Sequence, residues 1–152
     1  MSSWDDDTSK KRAIANARQA LALDANASAR VWSVTRLKPG RHNYFLVVFG
    51  TDEASVGIAA VDAYSMEILE KARLPGFQTH QLLSAREAIQ RARLTAGTKA
   101  ALVWEPTAAS RSPFYPLWQL TTQTETVWVD SIRGTVSKNL RSTLGGGAVE
   151  ER

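Results

Sequence analysis

The chain has 152 residues, of which 43% are hydrophobic and 22% are charged, and its formal net charge is +4 at pH 7. This length and composition predict one ordinary globular domain, or two small halves that share a core. The chain contains no cysteine, which excludes a disulfide framework, a thiolate zinc site, an iron–sulfur cluster and a cysteine nucleophile.

The first half of the chain is predicted to form one helix followed by four strands. Ser9 is a candidate cap for a helix over residues 9–23, because apolar residues recur there at helical spacing. Alternating or continuous β-favouring residues, separated by turns at 38–41 and 51–53, then predict four strands. These strands span residues 30–37, 44–49, 55–62 and 66–73.

The second half shows the same order of elements. Ser84 is a candidate cap for a helix to about residue 94, and Gly97 provides a stop. Four strands are predicted at residues 98–105, 117–121, 125–130 and 135–138. Pro113 and Pro116 have no N–H to donate, so the strand over 117–121 is expected to begin at a sheet edge.

Three pairs of segments recur in the same order, which indicates a duplication. The segment 13–18 matches 88–93, Trp32 matches Trp104, and 61–68 matches 129–136. The predicted fold class is therefore α+β, with two tandem repeats of one helix packed on an antiparallel sheet of three to four strands. The predicted segments are a disordered N-terminus at 1–8, repeats at 9–74 and 82–140, a linker at 75–81 and a flexible tail at 141–152.

One motif suggests a family. Residues 128–136 read Trp-Val-Asp-Ser-Ile-Arg-Gly-Thr-Val and resemble the signature of the PepSY domain; the first half keeps Val-Asp at 61–62 but has Met66 in place of the glycine. The resemblance covers the two predicted repeats. It implies a cystatin-like helix-on-sheet shape and a binding or peptidase-regulating role without a catalytic centre. The chain lacks the Gln-Val-Gly loop of cystatins, so inhibition of cysteine peptidases is not implied.

Catalytic signals are sparse. Asp62 and Asp130 precede turns, and we expect them to accept hydrogen bonds from turn amides rather than to act as acids. His42 and His80 each stand alone on a predicted loop, without a partner at metal-ligand spacing, and are expected at the surface. The three glycines at 145–147 lack the Lys-Ser/Thr of a P-loop. The sequence thus predicts a non-enzymatic protein with no catalytic, metal-binding or cofactor-binding residues and no cofactor.

Aromatic residues offer a candidate partner surface. The chain has five tryptophans, and Trp32 and Trp104 are expected in the core because buried strand tryptophans fill the space beneath a helix. Exposed aromatic and basic residues after residue 110 would instead anchor a protein partner or stack nucleobases. The candidate partner-binding residues are Arg111, Phe114, Tyr115, Trp118 and Trp128.

Basic residues offer an alternative. Between Lys10 and Arg41 there are eight basic side chains and one acidic side chain, Asp24, a field that attracts polyanions. The candidate polyanion-binding residues are Lys10, Lys11, Arg12, Arg18, Arg36, Lys38 and Arg41. Two functions stay open: a protein-binding or regulatory module, which the sequence favours, and a nucleic-acid-binding protein that uses this basic region.

The sequence also predicts a location. No segment approaches the roughly 18 consecutive apolar residues that would span a bilayer. Residues 1–7 are acidic, whereas a secretory signal would be basic and then apolar. We therefore expect a cytoplasmic protein with no membrane span.

Overall fold

The computed structural model describes residues 4–50, 54–74, 80–95 and 97–140, which belong to two compact units, Met1–Gln81 (unit 1) and Leu82–Arg152 (unit 2). The expected turn at 51–53, most of the expected linker and the expected tail at 141–152 lie outside the described residues. The elements of unit 1 are α1 (Asp7–Ala20), β1 (Ala29–Arg36), β2 (Tyr44–Gly50), β3 (Ser55–Asp62) and β4 (Ile68–Arg73). The elements of unit 2 are α2 (Ala85–Arg91), β5 (Lys99–Trp104), β6 (Leu117–Thr121), β7 (Thr126–Asp130) and β8 (Val136–Ser137).

The four strands of unit 1 are ordered β4-β3-β2-β1, and all neighbours are antiparallel. Tyr44 lies opposite Asp62, so the start of β2 meets the end of β3. The first six residues of β2 are buried, which explains why this strand reads as a continuous apolar run instead of alternating. One of its faces packs against Ala13 and Ala17 of α1.

Helix α1 begins earlier than the sequence predicts. Its cap is Asp6, which accepts a hydrogen bond of 2.8 Å from the backbone N–H of Ser9, and this bond lowers the pKa of the Asp6 carboxyl. The prediction of Ser9 as the cap is thus wrong, because an aspartate three residues upstream supplies the acceptor. Trp4 packs with its ring 5.5 Å from that of Phe45, so the described part of the segment 1–8 is structured.

The end of α1 is fastened to β4. Lys71 Nζ donates to the carbonyl oxygen of Ala20 at 3.0 Å, and Arg73 Nη2 donates to that of Leu21 at 2.7 Å. These cations satisfy carbonyls that a helix leaves unpaired at its last turn, where the helix dipole also favours positive charge.

Unit 2 orders its strands β5-β6-β7-β8, again all antiparallel. Helix α2 begins at the predicted cap: Ser84 Oγ accepts from the N–H of Glu87, and the Glu87 carboxylate accepts from the N–H of Ser84. This helix ends at Arg91 instead of about residue 94, because Arg93 takes a left-handed φ of 60°. Gly97 therefore lies beyond its end.

Strand β6 is not at an edge, contrary to expectation. Leu117 pairs with Val103 on one side and with Asp130 on the other. Pro116 lies just outside the strand, where its missing N–H costs nothing, and its carbonyl accepts hydrogen bonds from the N–H and the hydroxyl of Ser131.

The α+β fold class predicted from the sequence is wrong. The described chain has eight strands and only two helices, and 16% of it is helical, so sheet dominates the fold. The physical reason lies in α2, which is seven residues long and buries Ala88 alone. The same finding corrects the cystatin-like helix-on-sheet repeat that the PepSY resemblance implied.

Candidate functional site

The turn between β7 and β8 is organised by Asp130. Its Oδ1 atom accepts hydrogen bonds of 2.8 Å from the N–H groups of Ile132 and Arg133, and its carbonyl accepts one of 2.8 Å from Gly134. Gly134 has a φ of 78°, a conformation that glycine adopts without steric cost. The expectation that Asp130 is a turn-former is confirmed, and the turn fixes the backbone of Arg133.

Arg133 is held in place although it is exposed. Its guanidinium carbon lies 4.6 Å from the centroid of the Tyr115 ring, and its Nη1 atom lies 3.5 Å from Asp130 Oδ2. The Arg133 side chain is 59% exposed and that of Asp130 only 3%. A guanidinium carries five N–H donors, so the stacked group keeps several for an incoming ligand.

Ser110 fixes the loop that carries Tyr115. Its hydroxyl oxygen accepts from Trp104 Nε1 at 3.2 Å and donates to the Tyr115 carbonyl at 2.6 Å. Two backbone hydrogen bonds join Thr107 and Ser110. The loop is therefore ordered despite its three prolines.

Two hollows meet at Arg133, and we call them together the Arg133 cleft. The first, of about 540 Å³, is also lined by Lys138, Thr135 and Ser137; the second, of about 280 Å³, is also lined by Arg111 and Tyr115. Ala108 and Ala109 line both. Three cations thus face one carboxylate, that of Asp130, which is already bonded to the turn. The cleft is positively charged.

The predicted partner-binding residues do not share one surface. Arg111 and Tyr115 line the cleft, and Phe114 lies between them in the same loop. Trp118 packs against the core beneath α2 and donates from Nε1 to the Leu83 carbonyl at 2.8 Å. Trp128 lies on the opposite face, because Trp118 pairs with the following residue, Val129.

Sequence reasoning missed Arg133 and Lys138 as binding residues. Arg133 stood inside the quoted motif as a turn residue, and Lys138 at the end of a predicted strand. Arg133 had one signal in the sequence, its position in the turn that follows Asp130, because loop residues at one end of a sheet often bind ligands.

The predicted polyanion-binding residues are also dispersed. Arg18 donates to the carbonyls of Asp24 and Ala27 and lies 5.2 Å from the Phe49 ring centroid, so it supports the loop after α1. Lys10 and Lys11 lie on α1, Arg36 ends β1, and Lys38 and Arg41 lie in the loop that follows. Arg12 lines a hollow of about 530 Å³ with Trp4 and Tyr64.

The histidines differ from expectation. His80 is buried, and its N–H donates to Ser55 Oγ at 2.8 Å. His42 is exposed but is paired: its Nδ1 atom lies 3.0 Å from Asp62 Oδ2. The pairing was missed because the two residues are twenty apart in the chain and meet only through the register of β2 and β3.

Asp62 organises the β3–β4 turn as Asp130 organises its own, which confirms its predicted role. Its Oδ1 accepts from the N–H groups of Tyr64 and Ser65 at 2.8 and 2.9 Å. Burial raises the pKa of the Asp62 carboxyl, but the hydrogen bonds from Ser65, Tyr64 and His42 outweigh burial, and the net pKa is lowered.

Two negative findings concern the described ranges only. No group of three or more potential ligands in those ranges could hold a metal ion. None of the helices described is long and apolar enough to cross a membrane.

No model of a protein family and no curated protein matches the chain, so the resemblance to the PepSY domain rests on the short motif alone. Among solved structures, the chain is similar to a putative lipoprotein from Clostridium difficile 630, with a TM-score of 0.34 and 14% identity over 85% of this chain and 90% of that chain. A TM-score this low assigns neither a fold family nor a function to the chain.

Proposed function

We propose that the chain is a non-enzymatic protein-binding module that holds an acidic segment of a partner protein in the Arg133 cleft. One observation carries the proposal: the Arg133 guanidinium is fixed on Tyr115 at the junction of two hollows, yet it is mostly exposed. A pre-positioned cation loses little conformational entropy when it binds.

The chemistry of the cleft favours carboxylates. The planar fork of a guanidinium matches a carboxylate in a bidentate geometry. Arg111 and Lys138 line different hollows, and Arg133 lines both. Acidic side chains spaced along an extended peptide could therefore meet successive cations, while the hydroxyls of Thr135 and Ser137 provide neutral hydrogen bonds.

The geometry is less suited to a flat aromatic ligand. Tyr115 lines the cleft, but the guanidinium of Arg133 already stacks on its ring. A peptide that binds through charge is therefore favoured here over one that binds through stacking.

The proposal is tested with a fluorescein-labelled, capped peptide of alternating glutamate and alanine, whose binding is followed by anisotropy. The matched peptide has glutamine for glutamate. We expect the glutamate peptide to bind and the glutamine peptide to bind at least about tenfold more weakly. Arg133→Gln should weaken glutamate-peptide binding about tenfold or more, because a hydrogen bond between charged groups contributes about 1.5–3 kcal/mol.

Arg86→Gln is the control, since Arg86 is an exposed cation on α2 outside the cleft. It should leave the affinity within about twofold of the native value. Equal binding of the two peptides, or equal losses in the Arg133 and Arg86 variants, would contradict the proposal.

A further inference from the structure

We infer that unit 1 carries a second, separate site, at which an unpaired base of single-stranded nucleic acid stacks on Tyr64 and an adjoining phosphate contacts Arg12. The inference does not depend on the function proposed for the Arg133 cleft.

Tyr64 is an exposed ring on a rigid support. Its backbone N–H is fixed by Asp62, its ring centroid lies 4.9 Å from that of His42, and the residue is 57% exposed. It is the most exposed of the large hydrophobic residues in the part of the chain that the structure describes. A fixed, exposed aromatic ring provides a stacking platform for a base, because every base presents a π-face.

The hollow beside Tyr64 supplies a cation. Arg12 lies on α1 one turn from Ser9, and both residues line this hollow with Trp4, Tyr64 and Met66. Within the described ranges, no hydrogen bond or ion pair engages the Arg12 guanidinium. A guanidinium is well suited to bind phosphate.

Carboxylates lie close to this cation, and Asp6 and Asp62 stay ionised because their hydrogen bonds lower the pKa of each carboxyl. Asp6 also lines the hollow, but it accepts the cap hydrogen bond from Ser9. Asp62 is bonded to two turn amides and to His42. The loop before His42 adds Lys38 and Arg41, two further cations to which neighbouring phosphates of a strand stacked on Tyr64 would extend.

Unit 2 provides the internal comparison. Its cleft also has a tyrosine, a turn aspartate and cations, but the Tyr115 ring is stacked with Arg133. In unit 1 the partner of the tyrosine is the His42 ring, and no cation–π contact covers Tyr64 among the described contacts. Base stacking is therefore favoured at Tyr64 and charge pairing at Arg133.

The test uses fluorescein-labelled oligothymidine of about ten nucleotides, a length in the range that single-strand sites cover, with anisotropy measured at several salt concentrations. Its duplex with oligoadenosine is the paired probe. We expect the single strand to bind at least about tenfold more tightly than the duplex, because stacking on Tyr64 requires an unpaired base.

Variants separate stacking from charge. Tyr64→Ala should weaken binding about tenfold, whereas Tyr64→Phe should keep the native affinity because it keeps the ring. Arg12→Gln should weaken binding and reduce the salt dependence by about one phosphate contact. Leu69→Ala, which truncates another exposed apolar residue, and Arg86→Gln should leave binding unchanged.

Four results would overturn the inference: no binding of the single strand, equal binding of the duplex, native affinity in Tyr64→Ala, or equal losses in Arg12→Gln and Arg86→Gln. The Arg133→Gln variant distinguishes the two sites. It should bind the oligonucleotide normally and lose the acidic peptide, whereas Tyr64→Ala should do the reverse. Loss of oligonucleotide binding in Arg133→Gln with retention in Tyr64→Ala would place nucleic acid in the other unit and overturn the inference.

Discussion

Arg91 fills the space into which a Cβ atom on residue 134 would project, with its guanidinium atoms Nη1 and Cζ as the nearest neighbours. Gly134 is constrained chiefly by its left-handed φ of 78°, because the exposed Arg91 side chain above it can move. At the β3–β4 turn, Met66 has a φ of 64°, and Asn16 donates to its carbonyl at 3.0 Å. The two units thus differ in a matched way. In unit 2 the long Arg91 side chain of α2 lies over a glycine, whereas in unit 1 the shorter Asn16 side chain of α1 contacts the larger residue Met66.

Gly134→Ala should destabilise the protein by about 1–2 kcal/mol through the left-handed backbone, since the exposed Arg91 side chain can move aside at little cost. Urea unfolding followed by tryptophan fluorescence measures the loss. Gly97→Ala is the control, because Gly97 has open space around it and no left-handed φ, and it should change stability by less than about 0.5 kcal/mol. Arg91→Ala should leave the cost of Gly134→Ala unchanged within about 0.5 kcal/mol, and a much smaller cost in the double variant would show that the clash with Arg91, not the backbone, constrains the position.

Stability should depend on the ionisation of Asp62. Its pKa in the folded protein is below the ordinary value of 3.8, so the ionised carboxylate stabilises the fold above that value, and the contribution is lost as the pH falls through the lowered pKa. Unfolding free energies measured from about pH 6 to about pH 2 should therefore decline less steeply in Asp62→Asn than in the native protein. Asparagine keeps an acceptor oxygen for the N–H groups of Tyr64 and Ser65, so the turn should stay intact. If both proteins lost stability equally between these pH values, the lowered pKa of Asp62 would be contradicted.

Trp118 and Trp128 should respond differently to truncation. Trp118 packs on the core beneath α2 and donates to a backbone carbonyl, so Trp118→Ala should cost about 3 kcal/mol. Trp128 is also half-buried but lies outside the core cluster beneath α2 and donates to Gln119 Oε1 at 3.0 Å, so Trp128→Ala should cost about 1 kcal/mol. Thermal unfolding followed by circular dichroism compares the stability of the two variants. A larger loss in Trp128→Ala than in Trp118→Ala would contradict the placement of Trp118 beneath α2 and of Trp128 on the opposite face.

Ser110→Ala should weaken both stability and peptide binding. The hydroxyl is buried and joins Trp104 to the Tyr115 carbonyl, so its loss leaves both partners unsatisfied at a cost of about 1–3 kcal/mol. The loop that supports Tyr115 then loosens, and the affinity for the glutamate peptide should fall. Ser28→Ala, at an exposed position of unit 1, is the control; a native affinity in Ser110→Ala would show that Ser110 does not position the cleft.

Elements defined by neighbouring residues could be predicted from the sequence. The capping box of Ser84 and the turns of Asp62 and Asp130 each depend on contacts two to three residues apart. The strand over residues 117–121 also had the right bounds, but the expectation that it begins at a sheet edge was wrong, because β5, from before the loop, pairs with it on its other side.

The candidate sites could be predicted only in part. Arg111 and Tyr115 were found by composition, but Arg133 meets Tyr115 because Leu117 pairs with Asp130, just as His42 meets Asp62 because Tyr44 pairs with Asp62. The Tyr115 ring comes two residues before β6 and meets the turn after β7. In the same way, the His42 ring comes two residues before β2 and meets the turn after β3. Such a meeting depends on register, which residue types alone do not specify.

Lys71 and Arg73 give unit 1 a property that its separate elements would lack. Each joins the end of α1 to β4 across about fifty residues of chain, and β4 is the last strand on its side of the sheet order. Fraying normally starts at helix ends and outer strands, where little is lost by local opening. In unit 1 the end of α1 and strand β4 are held by the same two hydrogen bonds, so neither can open without the other. The backbone amides of both regions should therefore exchange with solvent at similar rates, as one cooperative group.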